Sequence, residues 1–336
     1  MNTVVILDGI PRSGSTFFSR IIDAFPGTCV LDDPIRLFHY YVLDHEKNFS
    51  YPRSMIKVSN IDFNSPFKKE HFFQLQKRIE DSRFLPELKR DLLRLRYKTS
   101  YTEICSDICE ITRNYFKSQI VGFQVTHHHR FRNAILDAMP DVKWITIVRD
   151  PRGVYASAKL SHKMNIQHVC RFWNDLVESL SARERFLCVR YEDLILRTED
   201  TIASVASFLN VDLDLKKFLK NIKLKNNIGK PWFSNSSFGS TNVQNTHVPA
   251  KYFDKKPVKR WEDVLNVIEK YIIWKQCASN MSKMEYGLSE KNKGFVIEFR
   301  DSSIWLFRIF LSLPKKVSIK IKFEISKLRR RRKKVF

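Results

Sequence analysis

The sequence predicts an α/β fold in which a parallel sheet is flanked by helices, with a helical insertion near its start. Three observations predict it. An apolar run, Val4-Val5-Ile6-Leu7, meets a turn containing Gly9, Pro11 and Gly14 and then a segment with helical spacing. A second apolar run, Lys143 to Val148, stops at Arg149-Asp150-Pro151. Between and beyond these runs, strand-like and helix-like segments alternate, which is the pattern of parallel strands joined by crossover helices.

Residues 3–8 read as a buried strand and residues 9–14 as a turn. Ser15 to Phe25 reads as a helix, with apolar residues at 17, 18, 21, 22 and 25. Residues 68–97 and 100–118 have helical spacing with charge on one side. They read as the helices of an insertion over about 60–118, lying between the first and second core strands. The second strand is expected at 120–125, a helix at 130–138, and the third strand from Lys143 to Val148. Asp150 can cap and Pro151 can take the first helical position, so a helix starts there. A fourth strand, Phe186 to Arg190, leads through Tyr191-Glu192-Asp193 into a helix ending near 209. Residues 225–258 are polar and lack a period, which reads as a long loop of the functional kind. Helix returns over 260–284. The expected organisation is one unit over 1–287 and a tail over 288–336.

Composition bounds the function classes. Of 336 residues, 43% are hydrophobic and 28% charged, a globular balance. Lys and Arg outnumber Asp and Glu by 59 to 36, a formal charge of +23 that favours anionic partners: nucleotide phosphates, nucleic acid or an acidic membrane face. The six cysteines form no CxxC pair and no disulfide-like framework, so reduced thiols in a cytoplasmic chain are expected. No basic leader precedes the first strand, and no run approaches the roughly 18 apolar residues of a spanning helix.

Gly9-Ile10-Pro11-Arg12-Ser13-Gly14-Ser15-Thr16-Phe17 lies between a strand and a helix, where backbone N–H groups bind anionic oxygens. The Gly9 to Gly14 spacing imitates a Walker A loop. Ser15 stands where the Walker lysine would be, and the cation, Arg12, is inside the loop. The segment resembles the 5′-phosphosulfate loop of sulfotransferases that use 3′-phosphoadenosine 5′-phosphosulfate (PAPS), Pro-Arg/Lys-Ser-Gly-Thr/Ser-Thr, which Pro11 to Thr16 match throughout. The likeness extends to the bacterial, carbohydrate and tyrosyl-protein members and over about residues 3–286, except the insertion. It implies the family's P-loop fold. It also implies that Ser13, Gly14, Ser15 and Thr16 hold the 5′-phosphate, that Arg12 neutralises the transferring group, and that Phe17 lies near the adenine.

Arg149 at a strand end and Ser157 eight positions later match the family's 3′-phosphate element. A guanidinium fork and a hydroxyl donor suit that phosphate, and a new helix N-terminus adds its dipole. Val189 to Leu194 resembles the segment whose tyrosine, here Tyr191, approaches the cofactor. Asn235 to Gly239 followed by Lys255 to Trp261 resembles the closing loop, in which Lys255 and Lys256 would cover the 3′-phosphate.

The base that accepts the acceptor's proton has two candidates. His127, in Val125-Thr126-His127-His128-His129, follows a strand as the catalytic Thr-His of cytosolic members does. Asp33, in Leu31-Asp32-Asp33-Pro34, falls where carbohydrate- and tyrosine-modifying members carry Glu. A histidine titrates near neutrality without burial, whereas an aspartate needs its pKa raised, which favours His127.

The resulting expectation is sulfuryl transfer from PAPS to an acceptor hydroxyl of a glycan or glycolipid, leaving 3′,5′-diphosphoadenosine, with no metal required and no nucleic-acid partner. The alternatives are a P-loop kinase, which lacks its lysine here, and a non-catalytic basic protein binding membrane or nucleic acid, which leaves both phosphate elements unexplained. The tail carries an apolar stretch, 302–313, and then eleven Lys or Arg against one acid, Glu324. This suits peripheral attachment of 302–336 to an anionic inner membrane face, the alternative being that 302–313 packs on the core as a last helix while the basic end stays solvated.

Overall fold

A computed structural model describes residues 3–32, 66–82, 84–126, 129, 132–161, 164–180, 184–225, 231–232 and 252–287. Five parallel strands form one sheet in the order β2-β3-β1-β4-β5. They are β1 (Thr3–Asp8), β2 (Thr28–Asp32), β3 (Ile120–Gln124), β4 (Val142–Val148) and β5 (Phe186–Arg190).

Strand periodicity explains the two cores. Val4 and Ile6 of β1 face one side, whereas Val5 and Leu7 face the other. The first side is covered by α2 (Lys69–Asp81), α3 (Pro86–Leu93) and α4 (Tyr101–Phe116), which bury Leu75, Ile79, Leu92 and Ile108 completely. The insertion is therefore one of the protein's two covering layers. Each such side chain contributes about 1.5–3 kcal/mol on burial. The second side is covered by α1 (Ser15–Asp23) and, further along the chain, by α8 (Tyr191–Leu196) and α9 (Thr198–Leu209). Between those regions lie α5 (Arg132–Ala138), α6 (Pro151–Leu160) and α7 (Ile166–Ser179). The described part closes with α10 (Leu215–Asn221), α11 (Lys256–Lys259), α12 (Trp261–Val264) and α13 (Val267–Lys283).

The expected strands and the Pro151 helix start are observed. Asp150 accepts the backbone N–H of Arg152 at 2.8 Å, and Pro151 opens α6.

Several expectations are corrected. The segment at 28–32 is a strand, so 120–124 is the third strand in chain order rather than the second. Thr28-Cys29-Val30-Leu31 is β-prone, but too short to show a period. The 68–97 helix is two helices, because Pro86 holds Leu85 extended at φ −57°, ψ 140°. The helix expected through 209 breaks at Arg197, and α7 was not anticipated. The end of the expected loop contains α11, and Asn266 starts α13 through a capping box with Glu269.

All six cysteines are free, and burial pushes the Cys109 and Cys188 thiols up to about 12. Among the described residues no helix is long and apolar enough to cross a membrane. The tail from 288 lies outside the described residues.

Candidate active site

In an open parallel sheet, ligands meet the carboxyl ends of the strands where the chain order reverses. Here that place is beside β1, which has β3 on one side and β4 on the other. The Gly9–Gly14 loop leaves β1, and Arg149 leaves the adjacent β4.

Within the loop, Arg12 (φ 73°) and Gly14 (φ 92°) are left-handed, and the N–H of Ser13 donates to the Ile10 carbonyl at 3.2 Å. Loops of alternating handedness form anion-binding concavities. No side chain caps the first turn of α1, so its amides add to that concavity. Gly14 is required twice over. Its φ disfavours L side chains, and a Cβ there would lie 2.5 Å from Cδ2 of Tyr191.

The Arg12 Nε donates to Oγ of Ser157 at 3.0 Å. The buried Arg149 donates from Nη1 to the Arg12 carbonyl at 3.2 Å and from Nη2 to the Pro257 carbonyl at 2.5 Å. Its guanidinium stacks on the Tyr191 ring, 4.3 Å from the centroid. Gly153 leaves room for it, since a Cβ there would lie 2.9 Å from Nε of Arg149. The indole N–H of Trp173 donates to the Arg149 carbonyl at 2.8 Å, and the N–H of Asp150 donates to Glu192 at 3.1 Å. These two bonds fix the turn that carries Arg149. Neighbouring Arg152 is absorbed structurally, forked onto Asp150 and stacked 4.1 Å over Trp261.

The electrostatics are those of a site awaiting negative charge. Burial lowers the Arg12 pKa, and the charges of Arg149 and Arg260 lower it further. Burial and Arg149 act the same way on Arg260. Among the described residues, Oγ of Ser13, Nε of Arg149 and Oη of Tyr191 are buried without a hydrogen-bond partner. Leaving such groups unmet costs about 1–3 kcal/mol each, which a phosphate ligand would recover. An anionic ligand such as a phosphate therefore suits this site.

The remaining expected residues fall as follows. Ser15 Oγ accepts from Nε2 of Gln124 at 3.3 Å, and the Thr16 carbonyl accepts from Ser19 Oγ at 2.8 Å. Phe17 is buried and packs edge-on against Phe253 at 5.7 Å. Lys255 and Lys256 are exposed, and the N–H of Lys256 donates to Asp254. The cation of this stretch that senses Arg12 and Arg149 is Arg260, which sequence reading passed over although it ends the same basic run. His127, Asp33 and the 235–239 segment lie outside the described residues. Asp32 of β2 pairs in register with Gln124 of β3.

A glycine-containing loop after β1, joined to an arginine after the adjacent β4, gives the protein a parallel α/β fold of P-loop type. The sulfotransferase family model matches residues 4–215, and the chain belongs to that family. In structure it is similar to the sulfotransferase domain of the Synechococcus PCC 7002 olefin synthase, with 16% identity over 86% of this chain and 96% of that one, at a TM-score of 0.53. It is similar also to the sulfotransferase domain from the curacin biosynthetic pathway, with 16% identity over 86% and 99% of the two chains, at 0.50. At this identity the likeness is one of fold. No curated protein matches the chain in sequence.

Proposed function

We propose that the protein transfers a sulfuryl group from PAPS to a hydroxyl of a carbohydrate or glycolipid acceptor by in-line displacement. The observation that carries the donor assignment is the continuous chain Ser157–Arg12–Arg149. It ties a 5′-type phosphate loop to a second, buried cation site at hydrogen-bond distances of 3.0 and 3.2 Å. When bound, PAPS supplies the sulfuryl group and a diphosphoadenosine leaving group.

Ser13, Gly14, Ser15 and Thr16 hold the 5′-phosphate through the loop and the start of α1. Arg149 and Ser157 hold the 3′-phosphate, with Arg260, Lys255 and Lys256 supplying charge from the other side. Arg12 neutralises charge that develops on the departing phosphate oxygen. Its guanidinium is pre-aligned by Ser157, so little reorganisation is needed at the moment of transfer. Tyr191 closes the loop from one side and backs Arg149 from the other. Positioning and charge neutralisation supply most of the acceleration, as in phosphoryl transfer. The acceptor proton passes to His127, with Asp33 the alternative. The acid at position 33, where carbohydrate- and tyrosine-modifying members carry Glu, supports an acceptor of either kind, and the mixture of motifs from these members tilts the reading toward a glycan or glycolipid. The tail, 302–336, attaches the enzyme peripherally to an anionic membrane face, supported by its apolar-then-basic composition.

The test is incubation of the full chain with radiolabelled PAPS and separate glycan, glycolipid, tyrosyl-peptide and steroid acceptors. Label in the glycan or glycolipid fraction is expected. Label confined to the other two overturns the acceptor class, and label in none overturns the activity.

A further inference from the structure

At the far end of α1 from the phosphate loop, a cavity of about 570 Å³ opens between the last turn of that helix and α10. The helix rises ~1.5 Å per residue, so Asp23 stands ~12 Å along the axis from Ser15 at the loop. The cavity is thus separate from the nucleotide site.

Its floor is apolar, with Leu213, Phe218 and Ile222 among its lining residues, and Lys217, Lys223 and Lys225 also line it. These three lysines are exposed, and among the described residues no ion pair or side-chain hydrogen bond engages their ammonium groups. The two acids at the cavity are committed elsewhere. Asp23 accepts the N–H of Val30 at 2.7 Å and pairs with buried Arg20 at 3.8 Å, and Asp214 caps α10 by accepting the N–H of Lys217 at 3.0 Å. The stretch 212–225 contains five lysines against two acids, Asp212 and Asp214, so the local charge is net positive.

The two features select a ligand together. An inorganic anion has no use for the apolar floor, and a neutral apolar molecule gains nothing from uncompensated ammonium groups. Sites that bury an apolar body and orient it by a few polar groups are the ordinary form of small-molecule pockets. We propose that this cavity is a second ligand site that takes an amphipathic anion. An aromatic or acyl group would pack on Leu213, Phe218 and Ile222, with a sulfate, sulfonate or carboxylate at Lys217, Lys223 and Lys225. The inference is independent of the donor assignment.

The probe is 8-anilinonaphthalene-1-sulfonate, an aromatic sulfonate whose fluorescence reports burial, titrated into the full chain with saturating 3′,5′-diphosphoadenosine present. Saturable binding is expected. It should weaken at least ~10-fold in a Lys217→Gln, Lys223→Gln, Lys225→Gln variant, as loss of charge-assisted contacts requires. It should weaken similarly for N-phenyl-1-naphthylamine, the uncharged counterpart. Ala24→Trp, which fills the cavity, should abolish it. Unchanged far-UV circular dichroism and a cooperative thermal transition report that both variants fold, whatever the nucleotide site binds. If either variant fails to fold, Lys217→Gln and Ala24→Leu take their places with the same expectations. No saturable binding, binding unchanged in the lysine variants, or equal binding of the neutral probe overturns the proposal.

Discussion

Arg12 and Ser157, 145 residues apart in the chain, meet through a 3.0 Å hydrogen bond from Nε to Oγ. That contact joins the loop after β1 to the second turn of α6. It makes the two phosphate elements one device, and the first prediction tests its division of labour. Arg12→Ala should lower kcat more than it weakens donor binding. Arg149→Ala should chiefly raise the donor KM, by about 1.5–3 kcal/mol for a lost charged hydrogen bond. Steady-state kinetics on both variants decides, and small, equal effects contradict the assignment.

Tyr191 gives a prediction in which stability and function part. Its hydroxyl is fully buried without a partner among the described residues, so Tyr191→Phe should leave stability unchanged or raise it by about 1 kcal/mol. Donor affinity should fall, because the proposed ligand takes up that hydroxyl. Denaturant unfolding and nucleotide titration measure the pair of effects. A clear loss of stability would mean that the hydroxyl is already satisfied in the free protein.

Glu269 should make stability depend on acid. Burial pushes its pKa up, but hydrogen bonds from Lys159 at 2.8 Å and from the Asn266 N–H at 3.0 Å outweigh this and hold the carboxylate below its ordinary value. A depressed folded pKa gives stability that is complete above the unfolded value and is lost as pH falls through the folded one. Glu269→Gln should therefore destabilise by about 1 kcal/mol at neutral pH and flatten the decline below pH ~4. A stability difference between the two proteins that stays constant well below that pH would contradict the role.

For the base, His127→Ala should abolish turnover and leave diphosphoadenosine binding intact, because a base does not touch that ligand. Turnover that survives there and disappears in Asp33→Asn would transfer the role to Asp33.

For the tail, the full chain should sediment with anionic vesicles at low salt, and truncation after Gly287 should abolish this. Equal sedimentation with neutral vesicles would contradict the membrane reading.

The loop and Arg149 were legible because their chemistry is local. A glycine, a cation and hydroxyls between a strand and a helix carry a meaning that packing does not change. The strand at 28–32 was not legible, since five residues show no period and its status depends on pairing with β3. Arg260 was hidden for a related reason. Three cations, Lys255, Lys256 and Lys259, precede it in one run, and only the fold selects which cation of the run senses Arg149. Trp173 lies in α7, which the sequence reading did not predict. That its indole N–H holds the Arg149 carbonyl is a tertiary fact.

The central claim is that the site is built for a nucleotide phosphorylated at both the 3′ and 5′ positions. Calorimetric titration of the full chain with 3′,5′-diphosphoadenosine and with ATP tests it most directly. The account predicts one site with at least ~10-fold preference for diphosphoadenosine, the worth of about 1.4 kcal/mol, and loss of that preference in Arg149→Ala. ATP binding as tightly or more tightly, or no diphosphoadenosine binding at all, would contradict it.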